Sequence, residues 1–199
     1  RPPSFDRTEK VEEAMHLFRE QGYEATSVQD LVDHLGLNRS SLYNAFGGKH
    51  DLYLEALDYC RRAEREALGE HLREAPTAIA GIRRAFEAVV EQVTSDPCGC
   101  LTTNATVECA TSDPSTQERA CETLGAMQSL FQDTVERAQE QGDIDPSRDA
   151  EAIGHYLTNA YNGLYLTAKT CPSTDVLENI VTETLRGLRA PVEAHSEQA

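Results

Sequence analysis

Basic charge is what this sequence has least of. Of 199 residues only 18 are Lys or Arg, against 34 Asp and Glu, which leaves a formal net charge of −16 at pH 7. A uniformly basic nucleic-acid coat is therefore excluded, although a local basic window is not. Long apolar runs are missing too. The longest stretch free of Asp, Glu, Lys and Arg is Ala152–Ala168, 17 residues that include His155, Asn159 and Asn162. That is short for a bilayer span and reads as a buried helix, so no membrane partner is expected. Alternating β patterns are absent and β-branched runs are short, which removes a sheet from consideration. There is no Gly-rich phosphate loop, no G-x-S-x-G and no H-E-x-x-H, and the plentiful carboxylates fall on charged helix faces. An enzyme is not expected. The six cysteines (Cys60, Cys98, Cys100, Cys109, Cys121 and Cys171) match no zinc module. Cys98-Gly99-Cys100 is a C-x-C with no C-x-x-C or His pair beside it, so neither a metal nor a cofactor is expected. The thiols read as mostly free, in the reducing environment of the cytoplasm. Arg1-Pro2-Pro3-Ser4 is not a charged-then-apolar leader. A start at Arg rather than Met suggests that the first residues are missing or removed.

What the sequence does contain is helical periodicity. With 39% hydrophobic and 26% charged residues it has an ordinary globular composition rather than a disordered one. Val11, Ala14, Met15 and Phe18 follow the i, i+3, i+4, i+7 rule of one helix face, from near Asp6 to Gly22. Thr26 and Ser27 are both N-cap candidates for a short helix carrying Val28, Leu31, Val32 and Leu35, which Gly36 ends. Asn38 caps a third short helix with Leu42 and Phe46 inward, broken by Gly47-Gly48. A long helix follows over 49–71. Pro76, Asp96-Pro97 with Gly99, Asp113-Pro114, and Gly142 with Pro146 then delimit helices at 77–95, 101–110, 114–141, 147–170 and 174–189. The expected architecture is all-α with about nine helices. A head of three helices (1–48) precedes a larger helical domain (49–189), and a polar tail (190–199) follows.

Charge divides along the same line. Residues 1–65 hold 9 basic and 12 acidic residues, and the remainder 9 and 22. Between Asp33 and Asp51 there is no acid at all, while His34, Arg39, Lys49 and His50 sit in or beside that window. A short helix, a Gly-containing turn and a second short helix make a helix-turn-helix, whose second helix lies in the DNA major groove. On that helix Arg39, Ser40, Tyr43 and Asn44 share the outer face. Arg suits guanine, Asn suits adenine, and Ser and Tyr suit phosphates or either base.

The segment Gly22-Tyr23-Glu24-Ala25-Thr26-Ser27-Val28-Gln29-Asp30-Leu31, followed by Leu35-Gly36-Leu37-Asn38-Arg39-Ser40-Ser41-Leu42-Tyr43-Asn44-Ala45-Phe46-Gly47-Gly48-Lys49, closely resembles the N-terminal domain of the tetracycline-repressor (TetR) family. The departures are Val32-Asp33, where Ala is commoner, and Asn44-Ala45, where an aromatic or His often precedes the Phe. The second of these removes one usual phosphate contact. The resemblance implies that Thr26 and Ser27 meet phosphates from a helix N-terminus. It implies that Asn38, Arg39, Ser40, Ser41, Tyr43 and Asn44 face the groove, and that Lys49 clamps a backbone phosphate. Plainer alternatives stand beside three of these: Tyr43 packing on the first helix, Lys49 simply solvated, Asn38 only a cap.

The family resemblance further implies a homodimeric regulator, most simply a repressor, bound to a pseudo-palindromic double-stranded operator and released by a small-molecule inducer. Its dimer is expected to form through the last two helices. Ile153, Leu157, Tyr161, Leu164 and Ala168 offer one apolar face, and Leu177, Ile180, Val181, Thr184 and Leu188 another. An inducer pocket is expected among Phe86, Val90, Asn104, Glu108, Met127, Phe131, Tyr156 and Asn159. Asn104 and Glu108 are the sharpest candidates, with Arg83 or His155 as internal partners for a buried Glu108. The run Gly99-Cys100-Leu101-Thr102-Thr103-Asn104 through Glu108 resembles the GCL-x-x-N-x-x-x-E of many members. Two alternatives remain open: a thiol sensor of oxidants, electrophiles or soft metals through Cys98 and Cys100, and a helical small-molecule binder with no DNA role.

Overall fold

A computed structural model describes residues 5–96 and 98–188. Its elements are α1 (Arg7–Gln21), α2 (Val28–Leu35), α3 (Arg39–Phe46), α4 (Lys49–Glu74), α5 (Ala78–Ser95), α6 (Leu101–Glu108), α7 (Pro114–Glu140), α8 (Ala150–Thr170) and α9 (Thr174–Leu188). Among the described residues there are nine helices and no strand. The 190–199 segment read as a polar tail lies outside them. No helix is long and apolar enough to cross a membrane among the described residues.

Local chemistry sets the helix ends. The Asp6 carboxylate caps α1 by accepting from the N–H groups of Thr8 and Glu9. Ser27 and Asp30 form a reciprocal capping box at the start of α2. Gly36, at φ 62° and ψ 29°, closes α2 in the left-handed region that glycine enters without penalty. The Leu37 N–H then reaches back to the Val32 carbonyl at 3.1 Å, the six-to-one bond that stops a helix cleanly. Asp113 caps α7, with Pro114 opening the helix where its missing N–H costs nothing.

Three boundaries differ from expectation by more than one residue. α4 continues past His71 to Glu74 and stops because Ala75, which precedes Pro76, is forced into extended backbone. α8 starts at Ala150, not 147, because the Asp149 side chain accepts from the Glu151 and Ala152 N–H groups and so takes the cap. α6 ends at Glu108 rather than 110.

Removing the Ser27 hydroxyl is expected to destabilise the head by about 1 kcal/mol, the usual worth of an N-cap. Urea unfolding of Ser27→Ala checks this: the midpoint should fall with an unchanged slope, and an unmoved midpoint would mean the box carries nothing.

Two hydrophobic cores organise the chain. One joins α5, α7, α8 and α9 with the end of α4: Leu68, Ile82, Phe86, Phe131, Val135, Leu157, Leu164, Val181 and Leu185 are among its members. Gly81 belongs to the α4–α5 crossing, where a Cβ would stand 2.7 Å from the Leu72 carbonyl oxygen, so the two backbones could not approach. The other core joins α1, α2 and α3 to the first half of α4 through Phe18, Leu31, Leu42, Phe46, Leu52, Tyr53 and Leu57. It also takes in Leu101, Ala105 and Cys109 from α6 and its cap. A cut after residue 48 therefore divides the chain but not its packing.

The faces expected to meet a second copy are largely consumed within the chain. Ile153, Leu157, Leu164 and Ala168 of α8, and Leu177, Val181, Thr184 and Leu188 of α9, are buried. Tyr161 and Ile180 pack against the same core. What α8 and α9 expose instead are Tyr156, Leu166 and Val176.

Candidate nucleic-acid interface

α3 presents a helix with two unlike sides. Leu42 and Phe46 are buried, and the Phe46 ring is clamped by Phe5 and by the Arg7 guanidinium, 5.0 Å above it. Arg39, Ser40, Tyr43 and Asn44 are exposed on the opposite side. Among the described residues Arg39 has no carboxylate within ion-pair distance, so its guanidinium is available to a ligand. Asn44 Nδ2 donates to Ser40 Oγ at 3.4 Å, which aligns the two side chains along the helix. Tyr43 is 47% exposed, and its ring lies beside Gly48.

The neighbouring N-terminus of α4 has no side-chain cap. Its open N–H groups, the positive end of the helix dipole and Lys49 make a ready anion site. Lys49 Nζ rests 4.3 Å above the Tyr23 ring, a position that holds the ammonium without neutralising it.

Four expected contacts need restating. Thr26 is 0% exposed and donates its hydroxyl to the Gly22 carbonyl at 2.6 Å, so its side chain closes the α1–α2 connection and cannot reach a phosphate. The Ser27 hydroxyl is engaged with the Asp30 N–H at 3.1 Å. Asn38 does cap α3, accepting from the Ser41 N–H at 2.8 Å, although its side chain stays exposed. Ser41 is only partly exposed.

Asn104 and Glu108 line a surface cleft of about 300 Å³ with Arg19, Gly22, Leu166 and Lys169, not an interior pocket. Glu108 is exposed on α6, and its two carboxylate oxygens accept from the Tyr23 N–H at 3.1 Å and the Glu24 N–H at 2.8 Å. Its partners are backbone groups; Arg83 lies by Glu87 and His155 by Glu151 instead. Asn104 Nδ2 donates to the carbonyls of Arg19 and Cys98, each at 3.3 Å. Arg19 also pairs with Asp96. The N-x-x-x-E spacing thus puts two polar side chains on one edge of α6, where both hold the end of α1 and the turn after it. Their sequence signal was the low charge of α6, which does not distinguish a ligand pocket from a polar seam.

The other six nominated ligand residues do not share a cavity. Phe86 and Phe131 are fully buried, with ring centroids 6.0 Å apart and Tyr161 within 5.8 Å of both. Met127 and Val90 are buried as well, and Tyr156 is 49% exposed on the outside. Asn159 lines a cleft of about 260 Å³ between α6, α7 and α8, with Gln128, His155, Thr158 and Asn162 as its polar walls.

Cys98 and Cys100 face different ways. Cys98 sits beside Asp96, and burial raises its thiol. Cys100 caps α6, its sulfur accepting from the Thr103 N–H at 3.4 Å, and points at α4. There it meets two residues that sequence reasoning missed. Glu64 Oε1 lies 2.6 Å from Cys100 Sγ and 3.4 Å from Cys60 Sγ. Hydrogen bonding to Cys60 and Glu64 pulls the Cys100 thiol down, while desolvation by burial pushes the Glu64 carboxyl well up. The signal available in advance was the four-residue step from Cys60 to Glu64, which stacks them on one face of α4.

A helix-turn-helix head with an acid-free second helix, set beside an open helix N-terminus on an all-helical body, defines a DNA-binding transcriptional regulator. Residues 11–56 match the sequence model of the tetR family of bacterial regulatory proteins, and residues 78–184 that of the tetracyclin repressor-like C-terminal domain. The chain belongs to the TetR family, and as such it is a transcriptional regulator and not an enzyme. It is 32% identical to the HTH-type transcriptional regulator YezE of Bacillus subtilis (93% of this chain, 97% of that one). It is 30% identical to the HTH-type transcriptional repressor ComR of Escherichia coli (94% and 90%). Among solved structures, a cysteine mutant of the TetR-family regulator CifR in complex with 26-bp double-strand operator DNA superposes with a TM-score of 0.85. It is 28% identical, over 94% of this chain and 99% of that one.

Proposed function

We propose that this protein is a cytoplasmic homodimeric repressor that two small heads place on a pseudo-palindromic operator and that a small molecule removes. The observation that carries the DNA half is the exposed, acid-free side of α3 with its unpaired Arg39, next to the uncapped start of α4. In this reading Arg39, Ser40, Tyr43 and Asn44 enter the major groove, Asn38 and Ser41 flank them, and Lys49 with the α4 N–H groups holds a phosphate. Ser27 approaches the backbone through the start of α2. Residues 1–48 read DNA, and 49–189 bind the ligand and the second copy. A relative that is a repressor, and another bound to a 26-bp operator, support this reading. The acidic body supports it as well: it repels DNA, so that only the head makes contact. The outward sides of α8 and α9, with Tyr156, Leu166 and Val176 exposed, are the surface for the second copy. Two-fold symmetry then matches two half-sites. The inducer enters the cleft lined by Asn159, and works by binding the DNA-incompetent arrangement better than the competent one.

Fluorescence anisotropy on labelled DNA from upstream of the gene, at two salt concentrations and with nonspecific competitor, tests this. Tight, salt-sensitive, competitor-resistant binding is expected. Equal binding to randomised DNA would overturn sequence-specific regulation, and no binding to any DNA would favour a binder without a DNA role. In the same assay Lys49→Ala should weaken all sequences alike and flatten the salt slope by about one unit per protomer. An unchanged slope removes Lys49 from the phosphate contacts.

A further inference from the structure

We propose that Cys60, Glu64 and Cys100 form a site for one thiophilic d10 metal ion of the Zn²⁺ class, and that this ion is an effector of DNA binding. The second half of this statement rests on the DNA-binding reading above; the first does not.

The ligand atoms come from two elements. Cys60 and Glu64 are one helical turn apart on α4, and Cys100 is the cap of α6. All three ligand atoms lie within 4.8 Å of one another. Zinc bonds of about 2.3 Å to sulfur and about 2.0–2.2 Å to oxygen place tetrahedral ligand atoms roughly 3.5 Å apart. The 3.4 Å between Cys60 and Glu64 already fits that spacing, and the 2.6 Å between Cys100 and Glu64 widens by about 1 Å on binding. Two sulfurs and one oxygen disfavour Mg²⁺ and Ca²⁺, which take all-oxygen shells, and suit a borderline-soft ion.

The surroundings support a cation. Both cysteines are buried. Among the described residues no Lys, Arg or His forms an ion pair with Glu64. A carboxyl group placed among thiols, with no positive partner, is an arrangement a metal would satisfy. Thr102 Oγ1 donates to the second Glu64 oxygen at 3.3 Å and would hold the carboxylate in place from outside. A cavity of about 10 Å³ adjoins Glu64 and Cys100, with Tyr161 and Asn162 on its wall. That is about the size of one water, which supplies the fourth position. Thr103, Thr106, Leu124 and Asn162 line both this cavity and the wider cleft outside, which gives a route of entry. Binding displaces to solvent the protons the three groups hold, and no electrons move.

The same ion would join the two elements that position the head. α4 starts at Lys49, and α6 carries Asn104 and Glu108, which grip the end of α1 and the turn after it. Spreading Cys100 and Glu64 from their 2.6 Å contact to metal spacing shifts one grip relative to the other, which is the differential contact that coupling requires.

Cadmium is the probe, because its thiolate charge-transfer absorption reports sulfur ligation directly. The parent is the full chain, fully reduced, with Cys98, Cys121 and Cys171 replaced by Ser. It should bind one Cd²⁺ per chain. Cys60→Ser and Cys100→Ser should each lose at least about 100-fold in affinity, since even outer partners of a metal are worth 10–100-fold. Glu64→Gln should weaken binding while leaving the absorption band. A reduced parent without the band, or with unchanged affinity in Glu64→Gln, overturns the site. If a cysteine variant fails to fold, the nearly isosteric Glu64→Gln carries the same test. Zn²⁺ should then change operator affinity in the anisotropy assay by about 5–150-fold in the parent and not in the variants. Cadmium binding without any zinc effect on bound DNA overturns the effector role alone. No DNA binding in any condition overturns the regulator reading and leaves the metal site standing on its absorption band.

Discussion

Arg39→Ala is expected to lower operator affinity by about 2–6 kcal/mol, because a base-reading arginine is worth about 1–3 kcal/mol and a symmetric dimer loses it twice. In equilibrium terms that is from about 30-fold to more than about 10⁴-fold. The structural ground is that Arg39 opens α3, where the N-terminal residues of a reading helix meet base edges, and among the described residues has no acid to hold it elsewhere. A panel of operators changed one base pair at a time would show the effect. The variant should lose discrimination at one position in each half-site and keep it at the others. An equal loss on every sequence, randomised DNA included, would mean that Arg39 meets phosphate and that the reading falls to Ser40, Tyr43 and Asn44.

Phe131→Ala is expected to destabilise the body by about 3–5 kcal/mol, the usual cost of removing a buried aromatic. Phe131 is fully buried between Phe86 and Tyr161, where α5, α7 and α8 meet. Urea unfolding should show a lower midpoint with an unchanged slope. A loss under about 1 kcal/mol would mean that this centre is already loose, and would return Phe131 to the candidates for ligand contact.

The helices were legible because periodicity and caps agree: Ser27 with Asp30, Gly36, Asn38 and Asp113-Pro114 all stand where the chain turns. The exposed side of α3 was legible for the same reason, since an eight-residue helix with two inward residues leaves its other side determined. Thr26 was misplaced because a hydroxyl at a helix start has two uses, and a buried bond to the Gly22 carbonyl excludes the phosphate. The interior was much less legible. Asn104 and Glu108 carry the polarity of a ligand site, yet they satisfy backbone groups 84 and 85 residues away. The apolar faces of α8 and α9 carry the periodicity of an interface, yet a bundle consumes the same pattern internally. Cys60, Glu64 and Cys100 could not be grouped in advance, because 36 residues separate Glu64 from Cys100 and no metal motif spans that gap.

The core shared by the head and α6 bears on how such proteins can be recombined. Leu101, Ala105 and Cys109 fill space between α1 and α4, while Glu108 and Asn104 fasten the connection after α1. Residues 1–48 alone would leave their cluster without Leu52, Tyr53 and Leu57 of α4 and without Leu101, Ala105 and Cys109. A chimera that takes its reading helices from one relative and its body from another inherits a mismatched wall at this seam, whatever the quality of its linker. The graft that respects the packing transfers two pieces of chain, residues 5–60 and residues 98–113, and leaves α5 behind.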